Sequence, residues 1–223
     1  MAVKMITFPT REAWLQGRGH TIGGSDASAV IGLNPWKSNV DLFNEKTGRT
    51  IPKEIESNPY IEYGQQAERH LRGLFRLDFP QYRVEYVENN IWINDKYPWA
   101  HYSADGWMFE TVEGTQDVGR LGVLEIKTTE ILKSMQKEKW RGQIPDNYFV
   151  QVLHGMAVME AEFAVLKAQL KTVFDDVPYL QTKHYYIERH EVQDQIDYLM
   201  ESERKFWLDT KQGRCPALIL PEI

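Results

Sequence analysis

Val123-Leu124-Glu125-Ile126-Lys127, set beside Ser103-Ala104-Asp105-Gly106, decides how this chain folds. Residues two apart in a strand share a face, so Glu125 and Lys127 emerge side by side, roughly 6–7 Å apart along the backbone, while Ile126 turns into the core. Leu121, Val123 and Leu124 mark the strand as largely buried, where a charge needs a partner or a purpose. The polar, glycine-containing run from Glu113 to Arg120 reads as a hairpin loop, so Asp105 and Glu125 can meet across an antiparallel pair. Two carboxylates and an ammonium at one place suit metal-assisted phosphodiester hydrolysis: the acids hold a hard divalent cation and the lysine steadies a water or the phosphate charge. The plainer reading is a solvated strand end with an incidental salt bridge. A Glu-x-Lys triplet arises about once by chance in a chain of this length, and on these residues alone the two readings stand level.

Composition narrows the classes. The chain has 223 residues, 42% of them hydrophobic and 12% aromatic, enough for a real core in one domain spanning 1–223. A lone cysteine, Cys215, excludes an internal disulfide and a four-cysteine cluster and suits a reducing, cytoplasmic setting. No secretory leader and no membrane-spanning apolar run is read. The net charge of −6 weakens a nucleic-acid reading, because phosphate binding normally leaves a basic footprint. The sign is uneven, however: residues 1–50 carry six Lys/Arg against four Asp/Glu, and residues 171–223 seven against ten.

No repeat or linker divides the chain. Ile22-Gly23-Gly24-Ser25 is a loop feeding a short helix that Gly32 stops. Ser38 opens the next helix, with Asp41 three residues on, and residues 49–60 read as an irregular connection. Ala67, Leu71, Leu74 and Phe75 recur at helical spacing within a helix from Ile61 to about Leu77. Tyr82–Val87 and Asn90–Ile93 look like strands around a turn, and Trp99–Phe109 continues the pattern. The basic stretch Leu132–Arg141 is helix-compatible. Asn147–Met159 is a helix bearing Gln151, Ala164–Leu170 and His184–Glu188 are strands, and Val192–Leu208 is the last helix. The order predicts an α/β fold with a mixed central β-sheet flanked by helices on both faces.

Other candidates carry a chemical and a plainer reading. Glu68 can reach a metal from the side opposite the sheet, or simply pair with Arg72 at i+4; the second is the commoner fate of a helical glutamate. Arg18 and Ser25 bracket the glycine loop, a receptor for a phosphate, although a serine there more often caps the helix. Gln151 can hold a phosphate or a water. Trp140 beside Arg141 can stack on bases or track a strand; more often such residues pack or face solvent. Histidine ligand spacings, nucleophile elbows, phosphate loops and zinc-type cysteine pairs are absent.

In order along the chain stand Trp14-Leu15-Gln16-Gly17-Arg18, Ile22-Gly23-Gly24-Ser25-Asp26-Ala27, Gly32-Leu33-Asn34-Pro35-Trp36-Lys37-Ser38, Glu45-Lys46-Thr47-Gly48, Gly64-Gln65-Gln66-Ala67-Glu68, the Asp105 turn, the Glu125 strand and Tyr148-Phe149-Val150-Gln151-Val152. This series resembles the phage-type alkaline exonucleases, the lambda exonuclease and YqaJ-like viral recombinase family of the PD-(D/E)XK nuclease superfamily, from Trp14 to about Trp207. The resemblance implies a restriction-endonuclease-like core. It also implies a Mg²⁺-dependent 5′-to-3′ exonuclease, with Mn²⁺ as a substitute ion, that acts on linear double-stranded DNA ends, releases 5′-mononucleotides and leaves 3′ single-stranded tails. Asp105, Glu125 and the Ile126 carbonyl would bind the first metal and Lys127 would orient or activate the water. Glu68 would be a further acid at a second metal or that water, and Gln151 a support. Arg18 and Ser25 would hold the 5′-phosphate. A ring-shaped homotrimer, a phage single-strand annealing protein as partner, and a phage or prophage origin in a bacterial cytoplasm follow from the same likeness. Ala104 departs from the proline in the superfamily's name, which touches backbone shape more than chemistry. The alternatives are a related nuclease of other polarity or endonuclease action, and a DNA-binding relative without catalysis.

Overall fold

A computed structural model describes residues 2–50, 59–111, 118–132 and 134–219. In chain order the elements are β1 (Val3–Thr7), α1 (Arg11–Gly19), β2 (Ile22–Gly23), α2 (Gly24–Val30), α3 (Asn39–Lys46), α4 (Pro59–Asp78), β3 (Tyr82–Glu85), β4 (Asn90–Asn94), β5 (Ala100–Tyr102), β6 (Gly106–Thr111), β7 (Val118–Glu130), α5 (Ser134–Glu138), α6 (Asp146–Met159), β8 (Phe163–Phe174), β9 (Val177–Glu188) and α7 (Arg189–Lys211). Most of the connection expected over 49–60 and most of the hairpin loop expected over 113–120 fall outside the described residues, as does Lys133.

Two mixed sheets form. The larger runs β3-β6-β7-β8-β9, and its β7–β8 pair is parallel while the others are antiparallel. Strand β7 is central and covered on both faces. Leu124 and Ile126 pack with Leu71 and Phe75 of α4, whereas Val123 joins the cluster built by α6 and α7 through Val152, Leu153, Met156, Ile196 and Leu199. Burying each such side chain stabilises the fold by about 1.5–3 kcal/mol before chain entropy is counted. Helices therefore flank the sheet on both faces, as its sequence pattern predicts.

The smaller sheet, β1-β4-β5-β2, is not foreseen by the sequence reading. The two strands expected around a turn are both present but belong to different sheets: β3 pairs with β6, and β4 pairs with β1 and β5. The side chain of Asn90 accounts for the parting. Its Nδ2 donates to the carbonyls of Val87 and Ala104, each at 2.9 Å, and its Oδ1 accepts from the Ala104 N–H at 2.9 Å. A buried side-chain amide thus does for the end of β4 what a neighbouring strand would otherwise do. Basic stretch 132–141 holds only the five-residue α5. Strands β8 and β9 run well past the spans expected and close through Asp175 and Asp176, both at positive φ (47° and 60°), which suits a two-residue hairpin turn.

Two further tertiary locks are invisible to local pattern. His154 of α6 is fully buried, with Nδ1 2.7 Å from Glu203 Oε1 of α7 and Nε2 2.8 Å from the His101 carbonyl. Asn39 at the start of α3 donates from Nδ2 to the Ala217 carbonyl (2.7 Å) and accepts from the Ile219 N–H (3.0 Å). No helix among the described residues is long and apolar enough to cross a membrane.

Candidate active site

Register brings the acids together. Gly106 lies opposite Leu124 across the antiparallel β6–β7 pair, so Asp105, one residue earlier, faces the Glu125 end of β7. The Asp105 carboxylate accepts the Ile126 N–H at 2.9 Å. Glu125 is fully buried on the α6 side of the strand. Its Oε1 receives Lys127 Nζ and Gln151 Nε2, both at 2.7 Å, and its Oε2 receives the Tyr102 hydroxyl. Lys127 also lies 5.2 Å from the ring centre of Tyr148. Alternation along β7, its register with β6 and one turn of α6 therefore suffice to assemble Asp105, Glu125, Lys127 and Gln151.

Glu68 comes from the other face, on α4. The pairing expected at i+4 is present, Oε1 meeting Arg72 Nη1 at 2.9 Å, and the residue also lines the same cavity as Asp105. Arg72 also donates to the Asp105 carbonyl and sits 3.5 Å from the ring centre of Tyr86, clamping α4 to the acid-bearing turn.

The carboxylates strain against one another. Burial, then Glu125 and Glu68, push the Asp105 carboxyl well above its ordinary range. Burial also raises Glu68, with Arg72 opposing. Burial works to lower the Lys127 ammonium, but Glu125 and Asp105 outweigh it and the group titrates above its ordinary range. Crowded carboxylates of this kind are relieved by a dication. Mg²⁺ commonly takes one or two protein carboxylates and keeps water and phosphate as its other ligands, so Asp105 and Glu125 with Glu68 nearby fit it. The fit is to that sparse set: among the described residues no group of three or more His, Cys, Asp or Glu side chains is gathered as a ready-made cage.

In front of the acids opens a cavity of about 980 Å³. One wall is α1, with Arg11, Trp14, Leu15 and Arg18; the other is α4, with Gln65, Glu68, Arg69, Arg72 and Arg76; Asp105 and Gln151 lie between. Arg18 stacks on Trp14, its guanidinium carbon 4.4 Å from the ring centre. Burial lowers its pKa against the pull of Asp26, Asp105 and Glu125, which places it within electrostatic reach of the site.

Ser25 is not brought to Arg18 in this cavity. It is exposed, and its hydroxyl does not cap α2 either, because the cap is Gly23, whose N–H donates to Asp26 Oδ2 at 3.3 Å. The serine that shares the cavity is Ser103, whose buried Oγ has no hydrogen-bond partner. Both glycines of the loop also find their reason: a Cβ on Gly23 would stand 3.0 Å from His101 Nε2, and one on Gly24 3.0 Å from Tyr102 Cδ2. Asp26 pairs with Lys46 at 2.9 Å and Lys37 at 3.6 Å, so three of the ordered motifs meet in one structural ion cluster.

Trp140 is corrected. It is 2% exposed and stacks on Tyr148, while its carbonyl accepts from Lys183 and Tyr185, each at 2.6 Å. Its indole has no face free for a base; it backs the ring beneath Lys127. Arg141 stays on the surface beside Glu138 at 3.4 Å and does not line the cavity.

Comparison with known proteins agrees with this architecture. The YqaJ-like viral recombinase domain matches residues 13–162, more than half of the chain. The chain belongs to the YqaJ-like viral recombinase family. Within it, YqaJ of Bacillus subtilis is 30% identical over 217 residues, covering 94% of this chain and 59% of its own length. Protein D345L of African swine fever virus (isolate Tick/South Africa/Pretoriuskop Pr4/1996) is 28% identical over 160 residues, 66% of this chain and 45% of its own. The chain thus spans only about half the length of these curated relatives. In fold it is similar to the alkaline exonuclease LHK-Exo of Laribacter hongkongensis, at TM-score 0.63 and 18% identity over 91% of this chain and 95% of that one. The dAMP complex of LHK-Exo gives TM-score 0.55 over 91% and 98%. A phage-related exonuclease of Haemophilus somnus 129PT gives 0.52 at 13% identity over 86% and 96%. These YqaJ-like motifs thus sit on a mixed-sheet α/β fold shared with phage-type exonucleases.

Proposed function

We propose that this chain is a Mg²⁺-dependent deoxyribonuclease that degrades one strand of linear duplex DNA from its 5′ end. The observation that carries the reading is the convergence of Asp105, Glu125, Lys127 and Gln151 beside an arginine-lined cavity whose wall includes Asp105, Gln151 and Glu68. Asp105 and Glu125 would hold the cation, joined by the Ile126 carbonyl, with Glu68 as the further acid. Mn²⁺ would substitute. The cation supplies positive charge that polarises the phosphodiester and eases ionisation of the attacking water.

The chain's own groups do the rest. Lys127, whose pKa Glu125 and Asp105 raise against burial, would orient or activate the attacking water and offset charge on the phosphate. Gln151 holds Glu125 in place. Arg18, its guanidinium buttressed by Trp14, is set to receive a terminal phosphate. Arg11, Arg69 and Arg76 give an acidic protein the local basic footprint that a nucleic-acid strand requires. Family likeness supports release of 5′-mononucleotides, and the dAMP bound by LHK-Exo, a fold relative, is a molecule of that class. The same likeness supports a ring-shaped homotrimer and a phage single-strand annealing protein as partner.

End-labelled linear duplexes bearing 5′-phosphate or 5′-hydroxyl, together with closed circles, test the reading with and without Mg²⁺. Linear DNA should be shortened from the 5′ end only with the metal, faster when phosphorylated, and Glu125→Ala should abolish cleavage. Cutting of circles would make the chain an endonuclease, and equal rates on both ends would remove the phosphate role of Arg18. DNA binding without cleavage would leave a non-catalytic relative.

A further inference from the structure

One side chain at the site is used by neither the metal nor the substrate as assigned above. Tyr102 ends β5 three residues before Asp105, is buried, and donates its hydroxyl to Glu125 Oε2. The partners of the other oxygen, Oε1, are Lys127 and Gln151. The phenol is therefore the donor that fixes the second oxygen, and with it the plane in which the carboxylate lies.

The ring itself is built in. A Cβ on Gly24 of α2 would stand 3.0 Å from its Cδ2, and a Cβ on Gly155 of α6 would stand 2.6 Å from its Cζ. Two helices thus approach one ring by their backbones, each through a glycine, at positions where any other residue would push the ring aside. An aromatic held this tightly presents its hydroxyl at one point only. Losing a group that orients a metal ligand typically costs about 10–100-fold in metal affinity or activity, and a displacement of about 0.5 Å already matters at such a site.

We infer that Tyr102 is a positioning residue, which through its hydroxyl sets the orientation of Glu125 and thereby the site's affinity for its divalent cation. The inference rests on the metal-binding role proposed for Glu125.

Tyr102→Phe keeps the ring in its glycine cradle and removes only the oxygen. Titration calorimetry with MnCl₂, without DNA, should show affinity about 10–100-fold weaker than wild type. On DNA, the variant should need correspondingly more metal for half-maximal rate while its KM for DNA at saturating metal stays unchanged. A urea midpoint close to wild type would show that the fold is kept. Wild-type affinity in Tyr102→Phe would overturn the inference and leave the proposed function standing. A raised KM for DNA with unaltered metal demand would do the same, because it assigns the hydroxyl to the substrate. If the unaltered chain binds no Mn²⁺, the proposed function falls and this inference goes with it.

Discussion

Replacing Asn90 with alanine should cost far more than a surface amide would, because three backbone groups depend on it. The Val87 carbonyl and both the N–H and carbonyl of Ala104 are tied to its side chain at 2.9 Å each, and Asn90 is buried. A buried polar group left without a partner costs about 1–3 kcal/mol. Partial relaxation lets the three share the loss, so about 3–5 kcal/mol is expected, a large part of a total stability of about 5–15 kcal/mol. Urea unfolding followed by tryptophan fluorescence should show the midpoint falling by more than about 1 M with an unchanged slope. Ala104→Pro supplies the internal check. It restores the residue of the superfamily name but deletes the N–H that donates to Asn90 Oδ1, and should cost about 1–2 kcal/mol. Because the two substitutions break the same bond, the double variant should lose less than the sum of the singles. A loss below about 1 kcal/mol for Asn90→Ala, or strict additivity in the double variant, would refute the reasoning that this amide takes the place of a neighbouring strand at the end of β4.

His154 should make stability pH-dependent. Burial works to lower its pKa, but Glu203 and the His101 carbonyl outweigh burial and raise it. A folded-state pKa above the unfolded value of about 6.5 means that the stabilisation is complete below about pH 6.5 and is lost as pH climbs through the folded value. Urea midpoints from pH 6 to 9 should therefore decline in the wild type, and Glu203→Gln should flatten that decline; parallel curves would rule the pair out as its source. Gly155→Ala should destabilise by about 1–3 kcal/mol through overpacking against Tyr102, read as a lowered melting temperature; an unchanged melting temperature would mean the ring has room to move.

The parts that could be read from the sequence are those set by short-range periodicity. Glu125 and Lys127 two apart on a strand, Gln151 on its helix, and the Ser38–Asp41 capping pair, with Asp41 N–H on Ser38 Oγ at 3.1 Å, all follow from spacing. What escaped was decided by partners distant in sequence. Asn90 looks like any turn residue until Ala104 is beside it, and so the small sheet was missed. Trp140 resembles a surface aromatic because its neighbours are charged, yet the rings of Tyr148 and Tyr185 enclose it. Ser25 drew attention by following two glycines, although those glycines serve the rings of His101 and Tyr102 and leave the serine facing outward. Glu203 sits in an apolar helical stripe, where only His154, 49 residues away, explains a charge.

The clasp made by Asn39 bears on the order in which the fold closes. Its amide meets Ala217 and Ile219 across 178 and 180 residues of chain, so α3 keeps a polar group destined for burial in water until that distant segment reaches it. Closure over so long a loop is slow relative to local helix formation. Docking of α3 should therefore tighten only when the Ala217–Ile219 segment closes on it, after the local helices have formed.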